Sequence, residues 1–256
     1  MRVIVTRPRA QAEPLVAQLR ASGVDAEALP LIDIGPPDDP VPVQQAWQAL
    51  DSLALLMFVS ANAVQHFMQH RPPGRPWPAK VLAGSTGPGT SAALRAAGVP
   101  EEALVEPQGR VFDSEALWQQ LQPHDWRGRA VRIVRGEDGR DWLAEQLGAA
   151  GAQVGFIAAY RRRPPVPDAA GRALLQAARA RPDQHLWAFG SSEAVGHLAA
   201  LAPGADWSQA VAVAPHPRIV AALQAAGFGT VRQVPADAEA LAAVARGGPP
   251  LQSAHP

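Results

Sequence analysis

Short apolar runs alternate with alanine- and leucine-rich runs of helical period along the whole chain. The apolar runs predict strands near residues 2–6, 25–31, 54–59, 80–84, 103–105, 130–135, 153–160, 186–190, 210–214 and 230–234, with helices between them. Four helical runs end in glycine, as helix C-termini prefer: LVAQLRASG (15–23), AALRAAG (92–98), LAEQLGAAG (143–151) and AALQAAG (221–227). Strands that alternate with helices in this way predict an α/β protein with parallel sheets flanked by helices.

The pattern also repeats. FVSANAV (58–64) returns as FGSSEAV (189–195), and GPGT (87–90) before AALRAAG answers HPRI (216–219) before AALQAAG. DSEAL (113–117) then answers DAEAL (237–241), so two copies of three strand–helix units lie at about 52–121 and 184–245. Each copy lacks a strand–helix–strand unit, and two such units remain, at 2–31 and 130–160. Neither can bury a core alone. The order predicts that 2–31 completes the C-terminal copy and 130–160 the middle one.

The expected organisation is therefore two similar, flavodoxin-like domains: residues 1–34 plus 165–246, discontinuous, with 43–152 inserted. Interdomain linker strands are expected at 35–42 (GPPDDPVP) and 153–164, where proline marks both crossings. Residues 75–78 (RPWP) read as a surface loop and 247–256 (GGPPLQSAHP) as a disordered tail.

Composition narrows the function classes. A 47% hydrophobic and 18% charged chain is neither disordered nor membranous. Its 23 basic and 23 acidic residues cancel, so no global field draws it to nucleic acid or to anionic lipid. The absence of cysteine removes disulfides, zinc-thiolate sites and thiol nucleophiles. With no signal core before residues 2–5 and no apolar run of spanning length, a cytoplasmic location is expected.

In open parallel sheets, ligands bind beyond the carboxyl ends of the strands, where helix starts offer free N–H groups and a positive dipole end. The residues expected there are Thr6, Arg7, Ser60, Asn62, Ser85 through Thr90, Arg135, Gly136, Ser191, Ser192 and the stretch from Pro215 to Arg218. Taken singly, Ser60 and Ser191 read as helix caps. Two matched sets point to a shared cleft for a large polyanion. The glycine-rich stretch GSTGPGT (84–90) fits neither the dinucleotide nor the Walker pattern and reads as another anion-facing turn. The acidic residues of 137–141 read as complements to a helix dipole. His66 and His197, at equivalent repeat positions, read as structural. His216 reads as a cap or surface residue, and no spacing suggests a metal site. Tyr160, the only tyrosine, sits on the return crossing before three arginines. Its residue type and position leave a linker aromatic and a catalytic or binding role equally open.

Assembled in order, these phrases resemble the uroporphyrinogen-III synthase family over about residues 1–246. The resemblance rests on VIVTRP (3–8), LPLIDI (29–34), the FVSANAV phrase, GPGT (87–90), VRGEDGR (134–140), AYRR (159–162), FGSSEAV and HPRI (216–219). It implies two α/β domains joined by a two-stranded linker. It also implies a cofactor-free lyase of haem biosynthesis, a monomer, that cyclises hydroxymethylbilane with loss of water and inversion of ring D. Tyr160 then matches the family's crossing-strand tyrosine, a candidate proton donor, and Thr90 a hydroxyl near the cleft. Ser60, Asn62, Ser191, Ser192 and Arg218 become candidates for binding the substrate's carboxylates, with Thr6, Arg7, Arg135 and Gly136 beside them. Ile219 stands where some relatives carry a hydroxyl. A non-catalytic tetrapyrrole- or polyanion-binding protein, a phosphosugar or nucleotide enzyme and a DNA-binding regulator remain as alternatives.

Overall fold

The computed structural model describes residues 1–109, 111–137 and 141–247. The expected tail, apart from Gly247, and residues 138–140 of the acidic stretch lie outside the described residues. In chain order the first elements are strand β1 (Arg2–Val5), helix α1 (Arg9–Ala21), β2 (Ala26–Ala28) and β3 (Asp33–Gly35). Next come α2 (Val41–Gln48), β4 (Leu55–Phe58), α3 (Ala61–Met68), β5 (Leu82–Ser85), α4 (Pro88–Ala96), β6 (Leu104–Val105) and α5 (Ser114–Leu121). They are followed by β7 (Ala130–Gly136), α6 (Trp142–Ala149), β8 (Gln153–Arg163), α7 (Ala169–Ala180), β9 (His185–Ala188) and α8 (Ser192–Leu201). The chain closes with β10 (Val211–Ala214), α9 (Pro217–Ala225), β11 (Thr230–Gln233) and α10 (Ala238–Ala245).

The chain divides into two compact units, one of Met1–Ile34 with the segment from Arg163 onward, the other of Gly35–Arg162. The sheet orders are β11-β10-β9-β1-β2 and β3-β8-β7-β4-β5-β6. The pairings of β1 with β2 and β9, and of β7 with β4 and β8, are parallel, as the α/β reading requires.

In the discontinuous unit, β1 is a central strand. Val3 pairs with Ala26 on one side and with Leu186 on the other. Both faces of the sheet are covered, so its strands are apolar without alternation. Val3 and Val5 pack with Leu15, Leu19 and Leu241 from α1 and α10. Ile4 points the other way, into a core with Leu174, Leu198 and Leu223 and an aromatic group of Trp187, Phe189, Trp207 and Phe228. Trp207 and Phe228 are stacked with ring centroids 5.5 Å apart.

The inserted unit is built on the same plan. Leu55 and Met57 of β4 pack with Val131 and Ile133 of β7 and with Leu117, Leu121, Leu143 and Leu147 of α5 and α6. Elsewhere in the unit, Phe58, Phe67, Trp47 and Trp77 form a chain of ring contacts, the closest being Trp47 on Phe67 at 4.9 Å. The glycines that end AALRAAG and AALQAAG, Gly98 and Gly227, take φ of +77° and +86°. A side chain would be strained there, which explains why both copies close on glycine.

Three expectations need correction. Residues 35–42 are not a strand throughout: the strand is Asp33–Gly35, and Val41 and Pro42 already form the first turn of α2. Proline fits there because a helix's first N–H groups have no partner to lose. The RPWP stretch is not simply a surface loop. Trp77 is buried, and its indole donates a 2.8 Å hydrogen bond to the Val81 carbonyl, anchoring the loop in the aromatic chain. The strand predicted at 25–31 is shorter, Ala26–Ala28, although Leu29 and Leu31 still donate backbone bonds to Val5 and Thr6.

Trp77→Ala should lower the unfolding free energy by about 3–5 kcal/mol, the usual cost of emptying a buried aromatic site, in urea denaturation followed by circular dichroism.

Candidate functional site

The two serines of the repeated phrase do the same local work. Ser60 precedes α3 with extended backbone, and its Oγ accepts from the Ala63 N–H at 3.2 Å. Ser191 precedes α8, and its Oγ accepts from the Glu193 N–H at 3.1 Å. Each caps its helix, worth about 1 kcal/mol. A serine oxygen holding one N–H keeps a second lone pair and its own proton. At Ser60 that capacity is used: Ser60 Oγ lies 3.4 Å from the Tyr160 hydroxyl.

Tyr160 reaches this position through an irregularity in β8. The strand pairs regularly with β7 up to Arg135 opposite Ala158, and then Gly136 faces Tyr160. Ala159 is the extra residue of a β-bulge. Along β8, Phe156 is exposed and Ile157 buried, yet Ala159 and Tyr160 are both buried, at 0% and 2% exposure. The bulge breaks the alternation and turns the tyrosine inward, as bulges beside functional sites do. Gly136 makes the room. A Cβ there would lie 3.2 Å from Cε2 and Cζ of the ring and 3.5 Å from the hydroxyl. The Arg162 guanidinium stands 5.9 Å from the ring centre, and the His66 imidazole is stacked on it at 6.0 Å with 24° between planes. His66 is buried, and its Nδ1 has no partner. Burial, then the neighbouring His70, push its pKa below the ordinary histidine value, against a smaller pull from Gln69.

The other candidates of this unit divide. Asn62 is half-buried in the first turn of α3. Arg135 is paired with Asp141 and stacked 3.8 Å over the exposed Phe156 ring. Thr90 is buried in the first turn of α4. In the glycine-rich turn, Ser85 and Ser91 hydroxyls lie 2.6 Å apart and Ser85 also bonds the Gly87 carbonyl. Those hydroxyls close the turn on itself. Thr86 ties it to the residue after β4 through the Val59 carbonyl.

In the discontinuous unit, Thr6 is buried and donates its hydroxyl to the Ala188 carbonyl at 2.9 Å, clamping β1 to β9. Arg7 is half-buried and donates to the Ala236 carbonyl at 2.8 Å; burial lowers its pKa, with Asp237 opposing. Ser192 opens α8, half-buried. His216 Nδ1 accepts from the Arg218 N–H at 3.1 Å and caps α9, leaving the Arg218 side chain exposed in the first turn. His197 donates through Nδ1 to the Leu31 carbonyl at 2.6 Å, a structural tie. Its repeat equivalent, His66, has no such tie, a difference that no sequence spacing signals. Among the described residues no cluster of histidine and carboxylate side chains could hold a metal ion, and no helix is long and apolar enough to cross a membrane.

The family model described as uroporphyrinogen-III synthase HemD matches residues 13–243, most of the chain. The chain belongs to the uroporphyrinogen-III synthase family. It is 31% identical over 216 residues to the uroporphyrinogen-III synthase of Synechococcus elongatus, covering 80% of this chain and 77% of that one. The Escherichia coli uroporphyrinogen-III synthase is 32% identical over 163 residues, 63% of this chain and 65% of that one. Among solved structures, the Helicobacter pylori uroporphyrinogen-III synthetase superposes with a TM-score of 0.59 at 13% identity, covering 96% of this chain and 98% of that one. A mutant Thermus thermophilus enzyme of the same name gives 0.56 at 20% identity, with 96% of each chain covered. The fold is therefore shared across the family at low identity.

Gly136→Ala should crowd the tyrosine ring and destabilise the protein by about 1–3 kcal/mol, read by thermal unfolding. Because Tyr160 is the only tyrosine, a ring-labelled sample gives one set of signals, and these should shift in the variant.

Proposed function

We propose that this chain carries out its family's reaction, closing hydroxymethylbilane to uroporphyrinogen III with loss of water and inversion of ring D, in haem biosynthesis. The observation that carries the residue-level reading is the Tyr160 hydroxyl, aimed by a bulge and set beside Ser60. Loss of the substrate hydroxyl breaks a carbon–oxygen bond, with the electron pair leaving on oxygen. That oxygen needs a proton, and Tyr160 supplies it, giving water and a conjugated pyrrolic cation. Ser60, fixed by the Ala63 N–H, orients the phenol.

Ring closure with inversion is then a matter of orientation. The substituted α-carbon of ring D attacks the cationic methylene carbon on ring A to give a spiro intermediate. The bond from that ring D carbon to the bridge from ring C then breaks, and the bridge closes on ring D's free α-carbon. That carbon loses a proton that offsets the one Tyr160 gave, in place of the unassisted closure that yields the type I isomer. The carboxylates are held at helix starts and by cations: Asn62, Ser191 and Ser192 through the first turns of α3 and α8, and Arg218 through its exposed guanidinium. Thr90 adds a hydroxyl at the start of α4. Thr6 and Arg7 order the strand ends of their own sheet, Gly136 shapes the bed of the tyrosine, and Arg135 lies over Phe156. The chain works as a cytoplasmic monomer without metal or organic cofactor.

Incubation with freshly prepared hydroxymethylbilane, followed by separation of the isomers, should give type III in excess over the uncatalysed control. Type I alone, at the control rate, would leave a tetrapyrrole-binding protein. Tyr160→Phe should lower kcat by about 100-fold while product affinity stays within about threefold; equal losses in both would remove the tyrosine from the chemistry. Arg218→Ala should raise KM by about tenfold with kcat kept, as loss of one charge-assisted carboxylate contact does.

A further inference from the structure

His66 is a buried polar group for which its surroundings account only in part, through a side-chain hydrogen bond with Gln69. Its Nδ1 is buried with no hydrogen-bond partner, a cost that native structures rarely leave without compensation. The other buried residues of α3, Ala63, Val64 and Phe67, are all apolar. A leucine at position 66 would fill the space without an orphaned nitrogen. What leucine lacks is a plane, and the plane of His66 is what the tyrosine meets. The two rings are 24° from parallel with centroids 6.0 Å apart, within the range of offset aromatic pairs.

The surroundings lower the imidazole's pKa, with Gln69 opposing. Burial and the adjacent His70 both disfavour the imidazolium. The tyrosine already has one cation nearby, Arg162 at 5.9 Å from its ring centre. Gly136 leaves just enough room for the ring, and Ser60 meets the hydroxyl at 3.4 Å. A buried phenol rotates about its Cβ–Cγ bond only as far as the packing around it allows, and a ring stacked on its face narrows that freedom. His66 is the flat group in contact.

We infer that His66 is a positioning residue, a ring stacked on Tyr160 that fixes the plane of the phenol and so the direction of its O–H. The inference rests on the reading of Tyr160 as the proton donor, and one of its two tests does not depend on activity. In protein carrying ring-labelled tyrosine, the single Tyr160 gives a slowly flipping ring with distinct signals for its two edges. His66→Leu collapses them to a fast-flipping average, and His66→Phe restores the slow ring. In turnover assays, His66→Leu lowers kcat by about tenfold at unchanged KM, and His66→Phe recovers it to within about threefold. In the His66→Leu/Tyr160→Phe double variant, the loss is no greater than for Tyr160→Phe alone, because the leucine acts only through the tyrosine. Melting temperatures separate these effects from global destabilisation. A His66→Leu protein with the ring still flipping slowly, or with losses that multiply those of Tyr160→Phe, would overturn the inference. If Tyr160→Phe itself keeps full kcat while the ring signals behave as described, the proton-donor role fails and the stacking contact stands.

Discussion

The whole arrangement depends on where β1 is hydrogen-bonded. Val3, Ile4 and Val5 lie between β2 and β9, with Leu186, Trp187 and Ala188 as direct partners. Without β1 the C-terminal elements would form a sheet of three short strands with one edge open, and neither layer of helices could be covered. A strand so distant in sequence must be brought home at the entropic cost of closing a very long loop. That loop is not slack chain. It contains the inserted unit, a complete sheet with its own core. Thr6 then secures the joint, its backbone N–H and its hydroxyl both donating to the Ala188 carbonyl. A residue of the opening phrase that looks like a ligand contact is holding the first strand to the ninth.

The matched copies make a natural comparison, and they differ around Tyr160. Ser60 and Ser191 are both helix caps, yet only Ser60 meets an aromatic hydroxyl. Thr90 and Ile219 occupy equivalent positions after a proline in the first turns of α4 and α9, and both are buried, at 6% and 5% exposure. The site is a core-facing one in each copy, so threonine at 90 brings a hydroxyl to a place where its partner copy needs only bulk. His66 and His197 diverge in the same way. One is tied to a carbonyl, and the other lies on the tyrosine. The buried tyrosine and its hydroxyl contact belong to the inserted unit, and the discontinuous unit carries an exposed cation, Arg218, at the start of α9.

What could be read in the sequence was whatever local rules decide. Serine before a helical run caps it, AAG ends a helix because only glycine accepts the left-handed turn, and apolar runs between helices become parallel strands. What could not be read depends on partners far along the chain. Trp77 sits between prolines, as loop residues do, and only the aromatic chain of Trp47, Phe58 and Phe67 gives its indole a place inside. The start of α2 at Val41 was masked by the prolines on either side, which serve a linker and a first helical turn equally well. The burial of Tyr160 is the clearest case. Alternation along β8 would set it with exposed Phe156, and the extra residue at Ala159 is specified by pairing with β7. The single local trace is Gly136, a glycine ending a strand for which a turn would be an equally good explanation.

That trace shows how the tyrosine is held. A tyrosine at the end of a regular strand would be aimed by its own rotamer alone, and a flexible loop would aim it more loosely still. Here the backbone is doubly constrained, by the ladder with β7 before the bulge and by the pairing of Gly136 with Tyr160 after it. The ring then meets Gly136, the imidazole and the Ser60 oxygen, which is itself pinned by a helix N–H. Each constraint belongs to an element whose own stability comes from the core beneath it. Preorganisation of this kind matters most for a reaction whose undesired outcome proceeds unassisted, because an enzyme that merely bound its substrate would release the same isomer as water does.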